Sequence, residues 1–461
     1  MPARQYFAGE EYFCLMATNQ AHKPIENTPE HTAPPQPLHN WAGNITFSTG
    51  HIVYPDSVEQ VQALVQQSPS LRVLGSGHSF NPIADSPHIL LSTNKLNKVL
   101  SLDEAALTVT VEGGITYGAL CPWLDAKGFA LHNLASLPHI SVAGSVATAT
   151  HGSGVTNGNL ATAVTALEMV LADGSIRRLS KEQDADQLAA AVVGLGALGV
   201  VTQLTLRVQP RFHMQQYVYE HLPLAQLTQH FHQVMAAGYS VSLFTDWQQD
   251  SINEVWIKTM AGEGHGFSQM PLFFGATAAR HKLHPIAGVA AENCTDQLGL
   301  PGPWYERLPH FKMGFMPSNG EELQSEYFVP AHHAVEALQA LAALGKQTGP
   351  HLLISEIRSI AADELWLSPS YQQDTIAFHF TWKQHIPEVM QLLPLIEGAL
   401  APFRARPHWG KLFTIPPAVL EERYEKWAAF KQMATQLDPR GKFRNPFLEQ
   451  QVFGMPAASQ G

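Results

Sequence analysis

The chain is poor in cysteine, in charge and in long apolar runs. Among 461 residues there are three cysteines, Cys14, Cys121 and Cys294, at spacings that suit neither a disulfide framework nor a metal site. No metal is therefore expected, and a reducing cytoplasm is the expected setting. Charged residues make up only 15% and the net charge is -11, with no Lys/Arg cluster to track phosphates; a nucleic-acid partner is excluded. No apolar run approaches the ~20 residues of a membrane-spanning helix, so no membrane partner is expected. Internal repeats are also absent. What the chain does have is apolar residues, at 45%, and a length that makes two domains the default.

Residues 1–40 hold Pro24, Pro29, Pro34, Pro35 and Pro37 and show little apolar periodicity after Met16. That pattern predicts a disordered tail. Glu10 and Glu11 interrupt the place where a signal peptide needs unbroken apolar residues, and Met16 is an alternative start.

From Trp41 the pattern becomes regular. Strands are predicted at 51–55, 72–74, 89–91, 99–102 and 107–111. Ser57-Val-Glu-Gln60 has capping-box spacing before an amphipathic helix through Val61 and Val65. A helix over 117–127 ends at Gly128. Asp173-Gly174 predicts a hairpin turn between 167–171 and 176–179. A helix over 187–193 and a strand over 200–208 follow. Beyond a boundary at 210–214, helices are predicted near 224–237, 334–347 and 387–400, and strands near 241–246, 254–259, 352–360 and 375–382. A closing helix is predicted over 418–436. Strands and helices in this order indicate α+β, not a regular βαβ repeat.

The most informative residues are glycines. Gly75-Ser-Gly-His78-Ser-Phe80 follows the 72–74 strand, and Gly152-Ser-Gly154 follows Thr148-Ala-Thr-His151. Glycine lets a backbone approach a ligand closely and take a positive φ. Two such loops, each with a histidine, suggest main-chain N–H groups around a pyrophosphate and an imidazole beside something reactive. The stretch 134–159 between them is too long and irregular to be a mere connection. Gly194-Leu-Gly196-Ala-Leu-Gly199 fits G-x-G-x-x-G, but it follows a helix and precedes a strand, the reverse of a nicotinamide site. It is read as a helix-to-strand turn that can still lie near a cofactor.

Strand alternation sorts the polar residues of the second half. Glu356 and Arg358 share one face of their strand, as do His379 and Thr381 of theirs, opposite Phe378, Phe380 and Trp382. Four polar groups then line one concave surface. An exposed face carrying a surface ion pair fits the same pattern. Lys411, in Arg406-Pro-His-Trp-Gly-Lys411, is either a solvated lysine or a cation beside a developing alkoxide.

Four runs, 73–81, 136–144, 150–154 and 406–411, together resemble the alditol-oxidising flavoproteins of the vanillyl-alcohol-oxidase class, and the resemblance extends from about 41 to about 447. It implies an α+β, two-domain FAD-linked oxidase. The FAD-binding domain spans 41–212 and is rejoined by 413–461; a substrate domain is inserted at 213–412. FAD is held covalently through His78 alone, because no cysteine lies between Ser136 and His151. The resemblance implies cofactor contacts from Val73, Leu74, Gly75, Ser76, Gly77, His78 and Ser79, then from Ser136, Ser141, Gly144, Thr148 and Ala149. Thr150, His151, Val201 and His408 complete the set. Substrate residues fall on Ser136, Glu356, Arg358, Thr381 and Lys411. Arg358 and Lys411 would stabilise negative charge on the substrate oxygen, and either His379 or an uncharged Lys411 would take its proton. The implied partners are a small polyol and O2, with H2O2 as product, and a monomer is expected. A sugar-lactone oxidase or dehydrogenase of the same class is the near rival. A non-catalytic flavin-binding sensor is the distant one.

Overall fold

The computed structural model describes residues 37–262, 267, 269–313 and 322–454. Most of the expected tail, residues 1–36, lies outside them. His39 and Asn40, read with that tail, are built into the fold: His39 bridges to Thr46, and the Asn40 side chain donates to Ser79 O at 2.9 Å.

Ser57 caps the helix Val58–Gln67, its Oγ accepting from the Gln60 N–H. The reciprocal half of the box shifts by one residue, since Gln60 Oε1 accepts from Asp56 N–H at 3.1 Å. Val61 and Val65 pack with Leu71, Leu91, Val170 and Val200, and each fully buried valine contributes about 1.5–3 kcal/mol. Ile52–Val53, Leu90–Ser92 and Arg72–Leu74 form a small parallel sheet with Leu90–Ser92 in the middle. A five-stranded antiparallel sheet follows, in the order Val99–Asp103, Thr108–Glu112, Val200–Arg207, Val164–Val170, Ile176–Ser180. Gly174, at φ +84°, turns its last hairpin.

The chain's end returns to the small parallel sheet. Leu71 N–H donates to Lys442 O at 3.0 Å, and the Asn445 amide donates to Pro82 O and Asp85 O at 2.9 and 2.8 Å. The closing helix differs from expectation. It is two helices, Pro417–Arg423 and Trp427–Leu437. Tyr424 breaks it: its buried ring lies 4.8 Å under the Arg406 guanidinium, while Arg406 Nε holds Arg423 O at 2.9 Å.

Between these parts runs a ten-stranded sheet. Its central order is His213–Pro223, Ser251–Met260, Ser240–Thr245, Leu352–Ile360, Thr375–Trp382, Leu323–Pro330, all antiparallel. Two of these, His213–Pro223 and Leu323–Pro330, escape the sequence pattern. The second buries Ser325 and Glu326 beside its apolar residues, so no polar–apolar alternation marks it. Helices Leu224–Met235, Ala334–Ala342 and Ile386–Leu400 bury Leu227, Leu338 and Leu393. These join one core cluster with Phe378, Phe380 and Trp382. No described helix is long and apolar enough to cross a membrane.

Candidate active site

One cavity is walled by the first glycine loop, the 135–151 segment, the Gly194–Gly199 turn and the polar face of the large sheet. Its floor is a close approach of the first glycine loop to the start of a short helix, Val142–Ala147, inside the stretch expected to be irregular. A Cβ on Gly75 would overlap Ser141 Oγ, and one on Gly144 would come within 2.7 Å of it. Ser141 Oγ itself is buried without a hydrogen-bond partner among the described residues. Glycine at 75 and 144 leaves room for Ser141 behind the wall and keeps side chains off the cavity face, where Gly75, Ser76, Gly77 and Gly144 offer the close approach that the pyrophosphate of FAD needs.

Gly194–Gly199 is a helix-to-strand turn, joining Ala185–Val192 to Val200–Arg207. Gly196 has φ +65°. Arg72 fixes this turn against the rest of the cavity. Its buried guanidinium donates to Gly196 O at 2.8 Å, Leu195 O at 2.9 Å, Ile83 O at 2.6 Å and Phe443 O at 2.5 Å. One side chain so ties four segments together, and burial brings its pKa down to about 10.

His78 lies at the cavity wall. Its ring stacks on Trp41 at 4.2 Å, and its Nε2 is 3.0 Å from His139 Nε2. Burial first, then the neighbouring His139, lowers its pKa to about 3, so the imidazole is neutral and keeps a nucleophilic nitrogen.

The polar end of the cavity is one rung of the sheet. His379 is paired with Glu326 on one neighbouring strand and with Glu356 on the other, so all three side chains share a face. Glu326 Oε2 accepts from Lys411 Nζ at 2.7 Å, and Oε1 lies 3.1 Å from His151 Nε2. Glu356 Oε1 accepts from Arg358 Nε at 2.5 Å and from His310 Nε2 at 2.7 Å. Arg358 Nη2 also donates to Ser136 Oγ. Burial pushes both carboxyls up, but their partners more than reverse it. Lys411 and His151 hold Glu326, and Arg358 and His310 hold Glu356, well below the usual carboxylate range. His379 Nε2 is buried with no partner among the described residues. Burial lowers its pKa to about 3, leaving a neutral ring with a free polar edge.

The face predicted from alternation therefore exists, and it is interior. Ser136, Arg358, His379 and Lys411 line the cavity. So do residues 73–79, Gly144, Thr148, Thr150, His151, Val201 and His408. Four candidates stand behind the lining. Ser141 sits under the two glycines; Ala149 is buried at φ +56°. The carboxylate of Glu356 is occupied by Arg358 and His310. Thr381 lies one step along the strand from His379, beside Ile354 and Gln324, and Gln324 reaches the cavity instead. Glu326, Gln324, His139, His310 and Arg72 escape the sequence reading. The aromatic and β-branched run Tyr327-Phe-Val329 is the signal that would have placed Glu326 on a strand; His310, in a loop without periodicity, has none.

A model of an FAD-binding domain matches residues 49–180, and one of D-arabinono-1,4-lactone oxidase matches 315–451. Alditol oxidase of Streptomyces sp. is 47% identical over 418 residues, covering 90% of this chain and 99% of that protein. L-gulono-1,4-lactone dehydrogenase of Mycobacterium tuberculosis is 28% identical over 430 residues, covering 88% and 97%. The solved structure of glucooligosaccharide oxidase from Acremonium strictum superposes with a TM-score of 0.69 at 15% identity, covering 88% of this chain and 93% of that one, a likeness of fold. Sequence identity of 47% along almost all of both chains makes this chain a member of the alditol oxidase family of FAD-dependent oxidases.

Proposed function

We propose that the protein oxidises the terminal hydroxyl of small alditols, such as xylitol and sorbitol, to the aldose, passing the electrons to O2 to give H2O2. The observation that carries this reading is the meeting of Arg358, Lys411, His379 and Ser136 at one end of a cavity whose other wall is the His78 loop. When bound, FAD supplies the two-electron acceptor that O2 reoxidises. His78, a neutral nucleophile clamped by Trp41 and His139, is its covalent anchor.

The protein's own groups do the rest. His379, whose ring lines the cavity beside Arg358 and Lys411, is the proton acceptor for the hydroxyl. Arg358 and Lys411 face the oxygen as negative charge grows on it, held in place by Glu356 and Glu326 rather than by water. Ser136 accepts from Arg358, which leaves its own O–H to donate to a substrate oxygen. Gln324 gives a neighbouring hydroxyl a further partner, as a buried polyol demands.

The polyol and O2 are the proposed partners, with a monomer as the working state. The division 41–212, 213–412 and 413–461 is kept as a proposal, supported by the separate sheets of the first two segments and by the hydrogen bonds of the third to Leu71, Pro82 and Asp85. Cytoplasmic placement agrees with Cys121 and Cys294, both buried free thiols. A lactone-oxidising activity is the second reading, favoured by the match over 315–451. Oxygen uptake by the purified protein separates the two: xylitol or sorbitol must support it, and gulono- or galactonolactone must not.

A further inference from the structure

Two buried residues outside the cavity, Lys258 and His310, remain without a role. Lys258 is 1% exposed and lies in the strand Ser251–Met260, two strands away from Arg358 in the sheet. A methionine would fill such a site without the cost of burying an amine. Its Nζ is surrounded by three acceptors: Leu308 O at 2.5 Å, Pro309 O at 3.2 Å and His310 Nδ1 at 3.1 Å. On its other side, His310 Nε2 lies 2.7 Å from Glu356 Oε1 and 3.1 Å from Arg358 Nη2; the shorter contact, with a carboxylate that can only accept, places the proton on Nε2. Nδ1 is then the bare nitrogen, and Lys258 is the group that donates to it. Burial and the neighbouring Lys258 lower His310 to about 3, in keeping with a neutral ring.

We infer that Lys258 and His310 are positioning residues: they lock one tautomer of His310, which holds Glu356 ionised and so fixes Arg358 at the substrate oxygen. This rests on the reading of Arg358 given above. The chain runs Lys258, His310, Glu356, Arg358, Ser136 and reaches the cavity only at its last two members. Buried, fully satisfied networks of this kind hold a head group more rigidly than one ion pair does. The charged or titratable groups facing Glu356 are Arg358 on its own strand, His310 from the loop and His379 from the adjacent strand. Lys258 stands behind His310, and Lys411 lies further along the cavity wall.

The test uses the full-length, FAD-loaded protein and the pH dependence of kcat/KM for xylitol. Flavin absorbance and thermal melting verify folding. His310→Phe removes the proton donated to Glu356, so the Glu356 pKa rises. The acid limb of the profile then moves up by about one pH unit, and kcat/KM near neutral pH falls about 10-fold. His310→Gln, which keeps an N–H toward Glu356, stays within about 3-fold with its limb unmoved. Lys258→Met, which frees the tautomer, moves the limb in the same direction by less, and it serves if His310→Phe does not fold. Nitrogen NMR of the wild-type protein must find the His310 proton on Nε2. A proton on Nδ1, unmoved limbs in the folded variants, or a His310→Gln limb displaced as far as that of His310→Phe would overturn the proposal. A wild-type protein inert toward every polyol would instead remove the reading on which it rests.

Discussion

Glu326 and Glu356 stand on opposite sides of His379 in a single rung of the sheet, and each carboxylate holds a cation at the polar end of the cavity, Lys411 and Arg358 respectively. The two ion pairs leave the site close to neutral while keeping Lys411 and Arg358 aimed at one place. Exposed pairs of this kind are worth little. Both carboxylates here are buried, so losing either partner leaves an uncompensated charge.

Lys411→Met lowers kcat by about 100–1,000-fold if its ammonium meets the developing alkoxide. Flavin absorbance stays unchanged, because Lys411 holds the substrate end of the site. Steady-state oxygen uptake measures the first and a spectrum the second. Near-normal turnover would remove the lysine from the chemistry.

Glu326→Gln has a milder and more diagnostic effect. Burial already lowers the Lys411 pKa, and Glu326 opposes that lowering. Without the carboxylate, Lys411 loses its proton at lower pH. The alkaline limb of the kcat/KM profile therefore moves toward neutrality, with turnover down about 10-fold. Lys411→Met, having no ammonium to lose, shows no such limb.

The polar residues on strands 352–360 and 375–382 were legible because β-rich apolar residues mark both strands and a spacing of two puts Glu356 with Arg358, and His379 with Thr381, on one face. Alternation alone did not reveal that this face is interior, since a Glu–Arg pair reads the same on a surface. Glu326 stayed hidden because its strand buries polar and apolar residues alike. His310 and His139 come from loops, where no period exists to read. The glycine loops were legible as loops. That Gly75 and Gly144 meet across Ser141 is a tertiary fact.

Gly144→Ala tests the cradle. The new methyl sits 2.7 Å from Ser141 Oγ, so Ser141 or the facing Gly75 loop must shift and the cavity wall deforms. FAD per chain falls by about half or more, while kcat per bound flavin stays within about 2-fold. Absorbance ratios and active-site titration measure both. Full loading would place the pyrophosphate elsewhere.

Glu254 sets a pH dependence unrelated to catalysis. Burial raises its pKa from 4.5 to about 7 despite the Trp256 Nε1 hydrogen bond at 2.7 Å. Between those values the folded state binds more protons than the unfolded one, so stability falls as pH rises through the window. Glu254→Gln removes that loss. Its Tm exceeds that of the wild type by about 2–4 °C above the window and matches it below. Equal Tm differences on both sides would show that Glu254 does not titrate there.

The tether and the substrate meet in one measurement. Purified protein and a His78→Ala variant are precipitated with acid, and the intact protein is then mixed anaerobically with xylitol. The account predicts yellow colour that stays with the wild-type pellet and leaves the variant's. It also predicts visible flavin absorption that bleaches with xylitol and returns with O2 as H2O2 forms. Flavin released from the wild-type pellet, or absorption that bleaches with gulonolactone and not with xylitol, would contradict it.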